Sequence, residues 1–564
     1  MMPWFERRPR RLAHERQALE SLLQEGWVHA VQWLVDKQAG TAQVNIDFEG
    51  GKQLRQARLE YPFIYPFAPP RLVPREPGQR WSTHQWGMSE LCLQIRADNW
   101  IKSLDGAAVL RSARHLLDTE STVDAKGCPK EVPSEHHFTE GQLLRWEYAR
   151  LVLSDELLAE VLRREPDVWV LDLRMSFFED SCVSLAVGIS GSPQYDRWTD
   201  PTIPSSVGQR LNGVGRIAIV EPGDIRHQAL TSPDMTCAER WAAFSSIPFD
   251  DYGFVVGLLE GRVIAKFLGK DNHTQDIIKI LMDKQQRAPT RNAILATKRV
   301  AILGCGSMGS KVATSLARSG VRSFFLVDAD VLKVGNLVRN DLDWGEVGAH
   351  KVDGLTAHLK RISEQVKVDR WVNQLGGQTS VDALNACLAS LKTCDLIVET
   401  TGSGQGFVYA SSVSESEGVP MVWGRVFGGG FGGYIARSRP GIEASPLDIR
   451  NAIYHWFQTP GFPEPPADVG LNYAADPDDQ APMIADDADV SVISSHLTGL
   501  AADALRGQQI SDYPHSVYVI GLRKEWLFEQ PFDTRPVDVS GVKTTNIAED
   551  NEADGGTRTD EASA

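Results

Sequence analysis

The apolar positions of this chain change period several times along its length. Residues 300–303 (VAIL) form an unbroken apolar run that stops at glycine, the pattern of a strand buried on both faces. The stretch after Gly309 has helical periodicity, and residues 323–327 (SFFLV) predict a second buried strand that stops at Asp328. A third, 396–398, leads into the turn ETTGSGQG. Upstream, 168–173, 183–187, 253–259 and 263–267 read as strands, 142–162 as a helical run, and 106–117 as a helix. Residues 61–70 break every period: Tyr61-Pro62-Phe63, then Tyr65-Pro66-Phe67-Ala68-Pro69-Pro70. Prolines at this density neither pair in a central strand nor continue a helix, so a rigid extended connection packed by its rings is expected.

This patterning predicts a multidomain α/β protein with polar breaks between its parts. Residues 118–138 are polar and proline-bearing and read as a linker; 460–485 are proline- and acid-rich; the tail from Ser540 has a disordered composition. The expected division is an N-terminal α+β domain at 1–120, a linker and mixed α/β connecting domain at 121–290, a Rossmann-like domain at 291–535, and an acidic tail at 536–564. With 58 basic against 74 acidic residues the net charge is −16, which argues against nucleic acid or an anionic membrane as the main partner. Seven scattered cysteines make no disulfide framework and suit a reducing cytoplasm. The basic N-terminus has no apolar core behind it, and no run of about 18 apolar residues occurs, so neither a signal peptide nor a membrane span is expected.

Candidate chemistry concentrates at 298–351. Gly304, Gly306 and Gly309 form a GxGxxG between strand and helix, which lets backbone N–H groups approach phosphates. Asp328, ending the next strand, is placed to accept hydrogen bonds from a ribose. Dehydrogenases share that much. Asp330, Asn336, Arg339, Asn340, Gly348 and Lys351 narrow the choice, because an Arg and a Lys aimed at the phosphates serve chemistry in which charge builds on phosphoryl oxygens. This set resembles the ThiF/MoeB/ubiquitin-activating family, which adenylates the C-terminal carboxylate of a ubiquitin-like protein. The resemblance implies ATP with Mg²⁺, Asp328 on the ribose, Arg339 and Lys351 on the phosphates, Asp330 and Asn336 in the same site, and a homodimer. Arg291 and Asn292 are weaker candidates for a phosphate contact.

The chain departs from that family in two places. Gly402 stands where the family has a magnesium-binding aspartate, so Glu399 or Asp330 would have to supply the carboxylate. No cysteine follows Cys394, so the family's thioester cysteine is missing from the crossover segment, which offers only Ser445, Ser491, Ser494 and Ser495. The zinc-binding Cys-x-x-Cys pairs of many relatives are missing as well, so no zinc site of that type is expected.

The first hundred residues contain a cysteine. The order Tyr61-Pro62-Phe63, Pro69-Pro70, His84, Leu91-Cys92-Leu93, Asn99-Trp100 and a helix resembles the ubiquitin-conjugating fold. The resemblance makes Cys92 the acceptor of a thioester and matches His84 to the family's His-Pro-Asn motif. Gln85 and Trp86 replace its Pro and Asn, leaving Asp98, Asn99 or a backbone N–H to stabilise an oxyanion. The competing reading of Cys92 is a small buried hydrophobe between two leucines. Joined domains of these two kinds resemble bacterial fusions associated with antiphage operons. The implied partners are a ubiquitin-like or other protein with an accessible C-terminal tail and a target amine. Sulfur-carrier adenylation and a catalytically reduced ATP-binding scaffold are the rival expectations.

Overall fold

The computed structural model describes residues 2–86, 89–122, 139–145, 147–205, 207, 211–282, 288–463, 485–507 and 511–539. Most of the expected linker, with Cys128, His136 and His137, most of the loop at 460–485, and the tail from Ser540 lie outside the described residues, while residues 118–120 at the linker's expected start continue helix Gly106–Glu120. The chain forms two compact units, Met1–Arg145 and Trp146–Ala564.

In the first unit, helices Trp4–Arg7 and Pro9–Gln24 precede an antiparallel meander of Val28–Asp36, Thr41–Gly50, Gln53–Tyr61 and Arg71–Pro74; helices Gly106–Glu120 and Glu140–Leu144 follow. Strand Thr41–Gly50 alternates strictly, burying Ala42, Val44, Ile46 and Phe48 against Leu19, Leu22, Leu110 and Ala113 of the two long helices. Glu15, with no exposed surface, accepts from the Tyr61 hydroxyl (2.8 Å), the Gly106 N–H (2.8 Å) and the Tyr65 hydroxyl, and pairs with Arg11 (2.9 Å). A carboxylate so satisfied ties the first long helix to the start of the second. The proline-aromatic segment departs from expectation. It makes two tight turns, with Tyr65 N–H on the Pro62 carbonyl and Phe67 N–H on that of Ile64 (both 3.0 Å). The φ that proline fixes suits a turn as well as an extended chain. Tyr61 and Tyr65 are buried, while Phe63 and Phe67 face outward.

The second unit holds two sheets. One has nine strands between Ala149 and Leu281 and contains all four strands expected there. Its two apolar clusters are separate from those of the sheet that follows. The expected helical run at 142–162 is broken into helix Glu140–Leu144, strand Ala149–Leu153 and helix Asp155–Arg163. Ala149, Leu151 and Leu153 enter the core at period two, and the Ser154 hydroxyl then caps the next helix by accepting from Leu157 N–H. Among the described residues no helix is long and apolar enough to cross a membrane.

The last sheet positions the site. Its order is Lys367–Trp371, Ser323–Val327, Arg299–Leu303, Leu396–Glu399, Met421–Val426, Gly432–Ser438, Val517–Gly521 and Thr534–Val537; the first five strands are parallel and the last three antiparallel. In chain order this is 3-2-1-4-5-6-7-8, so the order reverses between Arg299–Leu303 and Leu396–Glu399, where doubly wound sheets bind ligands. The final strand runs through residue 536, the expected start of the tail, and Val539 is still buried.

A buried ion network braces the antiparallel side. Arg437, with no exposed surface, donates to Asp503 (2.7 Å), Glu443 (2.8 Å), the Ser511 hydroxyl (2.8 Å) and the Tyr513 carbonyl (3.1 Å). Burial pushes the Glu443 carboxyl up, but the Arg437 and Arg439 hydrogen bonds outweigh it and hold the group below its usual range. Arg437→Ala strands Asp503 and Glu443 without their partner, and a loss of about 3–5 kcal/mol is expected. The urea midpoint measures it. A shift equivalent to under about 1 kcal/mol would show that the network carries little stability.

Candidate functional site

Above the C-terminal ends of the parallel strands lies a cavity of about 440 Å³. Its first wall is the glycine turn. Gly304 has φ +85°, and a Cβ there would stand 2.9 Å from the Thr400 backbone. A Cβ on Gly309 would stand 1.8 Å from the Gly304 carbonyl oxygen, so this glycine brings helix Ser307–Ser319 against the turn and does not itself line the cavity. A Cβ on Gly306 would meet nothing within 4 Å. Gly306 also caps the helix without any side-chain hydrogen bond, leaving the first N–H groups open to an anion.

Asp328 is anchored at this turn: one carboxylate oxygen accepts from Cys305 N–H and the other from Asp330 N–H (both 2.7 Å). Burial raises its carboxyl above the usual range, opposed by the Asp330 N–H, Lys351 and the Cys305 N–H. Lys351 opens helix Lys351–Ile362, and its ammonium sits 2.7 Å from Asp330. Arg339, Asn336 and Asp330 complete the wall. Asn336 accepts from Lys333 N–H (2.9 Å), shaping its own turn. Asn340 ties that turn to the glycine loop, donating to the Cys305 carbonyl (3.3 Å) and accepting from Leu342 N–H (3.1 Å).

The structure therefore brings Gly304, Gly306, Asp328, Asp330, Asn336, Arg339 and Lys351 around one cavity, with Gly309 packed behind it. Arg291 is outside the lining, paired with Asp512 at 3.3 Å, and so is Asn292. Glu399 is also outside it: enclosed, with its carboxylate accepting from the Thr401 N–H (2.8 Å) and hydroxyl. Burial raises the Glu399 carboxyl, opposed by Thr401, Arg450 and Arg425. Gly402 lines the cavity with φ +68° and open space where a Cβ would stand. Among the described residues no group of three or more His, Cys, Asp or Glu side chains could hold a metal unaided. Mg²⁺ needs only one or two carboxylates when phosphates and water supply the rest. Asp330, 71% exposed at the cavity wall, fits that demand better than enclosed Glu399.

Sequence reasoning missed other residues of the lining: Asn373, Gln374, Leu375, Thr400 and Arg425. Arg425 had a signal, as a lone charge within the apolar run MVWGRV.

In the first unit Cys92 is half-buried in a groove of about 790 Å³ lined also by Pro69, Pro70, Trp86, Glu90 and Asp98. Burial pushes the thiol up; Arg96 opposes this and Glu90 adds to it. The Cys92 N–H donates to the His84 carbonyl (2.8 Å), while His84 is not part of the groove lining. Asn99 shapes the following loop, accepting from Arg96 N–H (2.7 Å) and donating to the Gln94 carbonyl (2.7 Å). Asp98 pairs with Arg96 at 2.9 Å. Gln85 accepts from Trp81 N–H and donates to the Gln79 and Ser89 carbonyls (all 2.9 Å), holding the loop before Cys92.

Residues 282–444 match the ThiF family. The chain is 30% identical over 187 residues to the uncharacterized protein y4oA of Sinorhizobium fredii, covering 32% of this chain and 31% of that one. It is 37% identical over 108 residues to the ATP-dependent ubiquitin transferase-like protein Cap2 of Enterobacter hormaechei subsp. hoffmannii, covering 19% and 17%. With the adenylyltransferase and sulfurtransferase MOCS3 of Sus scrofa it shares 40% identity over 90 residues, covering 16% and 20%. The chain thus spans less than a third of the length of each of these relatives. Among solved structures, E. coli MccB with ATP aligns at 16% identity and a TM-score of 0.31, over 44% of this chain and 66% of that one.

Proposed function

We propose, for a chain whose residues 282–444 are a ThiF-family domain, that the cavity binds ATP and adenylates the C-terminal carboxylate of a protein partner. The observation that carries this reading is the convergence of an open glycine turn, Asp328, Arg339 and Lys351 on one cavity at the sheet's switch point. A carboxylate oxygen attacks the α-phosphorus, the bond to the β-phosphate breaks, and acyl-adenylate and pyrophosphate form. Arg339 and Lys351 offset the charge that gathers on the leaving pyrophosphate. Asp328 orients the ribose, and the N–H groups after Gly306 meet the phosphates. Asp330 would hold Mg²⁺, which neutralises phosphate charge when bound.

In the second step the Cys92 thiolate attacks the acyl carbonyl and AMP leaves, giving a thioester. A target amine then attacks the thioester, forms an amide and releases the thiol. This deeper reading rests on the first unit as a ubiquitin-conjugating-like domain, on the half-buried Cys92 groove, and on the likeness to Cap2. Cytoplasmic bacterial antiphage defence is the setting we propose, with two copies of the chain paired. Exchange of labelled pyrophosphate into ATP tests the first step. It should require a ubiquitin-like partner with a free terminal carboxylate and vanish when that end is an amide. Exchange that ignores the partner's end would remove the reading.

Magnesium gives a separate prediction. Asp330→Ala should raise the Mg²⁺ concentration for half-maximal exchange by about tenfold or more, whatever it does to the rate through Lys351. An unchanged magnesium midpoint would take Asp330 out of the metal site.

A further inference from the structure

Two guanidinium groups stand on the far side of the switch point from the glycine turn. Arg425, near the end of strand Met421–Val426, lines the cavity, and its guanidinium makes no hydrogen bond or ion pair among the described residues. Arg450, on helix Pro446–Phe457, stacks on Phe407 at 4.2 Å, and its buried Nε has no hydrogen-bond partner. Glu399 is the carboxylate whose charge both of them feel, and its carboxylate is already held by Thr401. Two cations against one engaged carboxylate leave positive charge uncompensated where Arg425 meets the cavity. Unpaired charge in a partly enclosed site is costly unless a ligand supplies the counter-charge.

The position of Arg425 decides which anion. Strand Leu396–Glu399 separates its strand from Arg299–Leu303, which carries the glycine turn, so at about 4.8 Å per strand the two lie about 10 Å apart. Arg339, Lys351 and the glycine turn occupy the nucleotide side. Displacement at the α-phosphorus is in line, so the nucleophile enters opposite the departing pyrophosphate. We infer that Arg425 is the receptor for the partner's terminal carboxylate, holding it by charge-assisted hydrogen bonds on the entry side, with Arg450 adding to the local positive field. This rests on the proposed adenylation.

The probe is a fluorescent decapeptide ending in Gly-Gly with a free carboxylate, compared with the same peptide as its amide. Both are titrated into full-length protein loaded with magnesium and a non-hydrolysable ATP analogue. The parent should bind the acid at least about tenfold more tightly than the amide. Arg425→Gln should reduce that preference to less than about twofold while the affinity for the ATP analogue stays within twofold. Arg425→Lys, which keeps the charge and loses the fork, should fall between. Retained acid preference in Arg425→Gln overturns the inference, as does a parent that takes neither peptide at 1 mM or does not distinguish them. A tenfold loss of analogue affinity in Arg425→Gln also overturns it, and moves the residue to the phosphates. A parent that fails to bind the analogue would instead overturn the adenylation reading.

Discussion

Lys351→Ala and Arg339→Ala are each expected to slow adenylation at least about a hundredfold while the protein still folds. Each removes a positive charge from the phosphate side, and charge stabilisation of this kind contributes about 3 kcal/mol or more in a transition state. The two variants should differ in detail. The Lys351 ammonium sits 2.7 Å from Asp330, so its loss also leaves a carboxylate facing the phosphates without its counter-charge. Lys351→Ala should therefore be the worse of the two, and Lys351→Ala with Asp330→Ala less than additive. Pyrophosphate exchange gives the rate, and a thermal melt within a few degrees of the parent shows that the fold survives. Exchange near the parent rate in either variant would mean that the cation does not face the phosphates.

The part of the cavity built by Gly304 to Lys351 was legible in the sequence because it is local. Gly304 to Lys351 span a turn, one strand and two helix starts, and the steric demands at Gly304 and Gly309 leave a glycine signature. The rest of the lining was not legible for an equally physical reason. Arg425 reaches the cavity only through the order of strands in the sheet, about which local periodicity says nothing. Asn373 and Gln374 follow strand Lys367–Trp371, an edge strand with no buried residue and hence no apolar run to announce it. Glu399 is the converse case. Proximity to the missing aspartate suggested a metal ligand, but in a strand with all four residues buried its side chain is engaged by Thr401. The run at 142–162 misled because its leucines fit a helix, whereas Leu151 and Leu153 serve a sheet.

Cys92→Ala should abolish every covalent enzyme–partner species while leaving pyrophosphate exchange near the parent rate. The serines of the crossover segment are poor alternatives on their own geometry. Ser445 caps helix Pro446–Phe457, accepting from Asp448 N–H (3.2 Å) and donating to the Asp448 carboxylate (2.8 Å). Ser494 is buried, and the Ser495 hydroxyl donates back to the Ser491 carbonyl at 2.8 Å. A hydroxyl needs a positioned base to attack an acyl group. The Asp448 carboxylate that holds Ser445 is itself 6% exposed within the helix cap, a structural placement. Cys92 carries its own pH signature. Burial, the largest influence, raises the thiol above its ordinary value, and only the thiolate attacks, so adduct formation should climb with pH through neutrality and past the usual thiol range. Adenylation should not share that rise. The measurement is a non-reducing gel of protein, ATP and partner across pH, with and without thiol. A thiol-sensitive band that grows with pH and is missing in Cys92→Ala is the expected result. A hydroxide-sensitive, thiol-resistant band that persists in Cys92→Ala would identify an oxyester on serine, and transfer by a single cysteine would have to be abandoned.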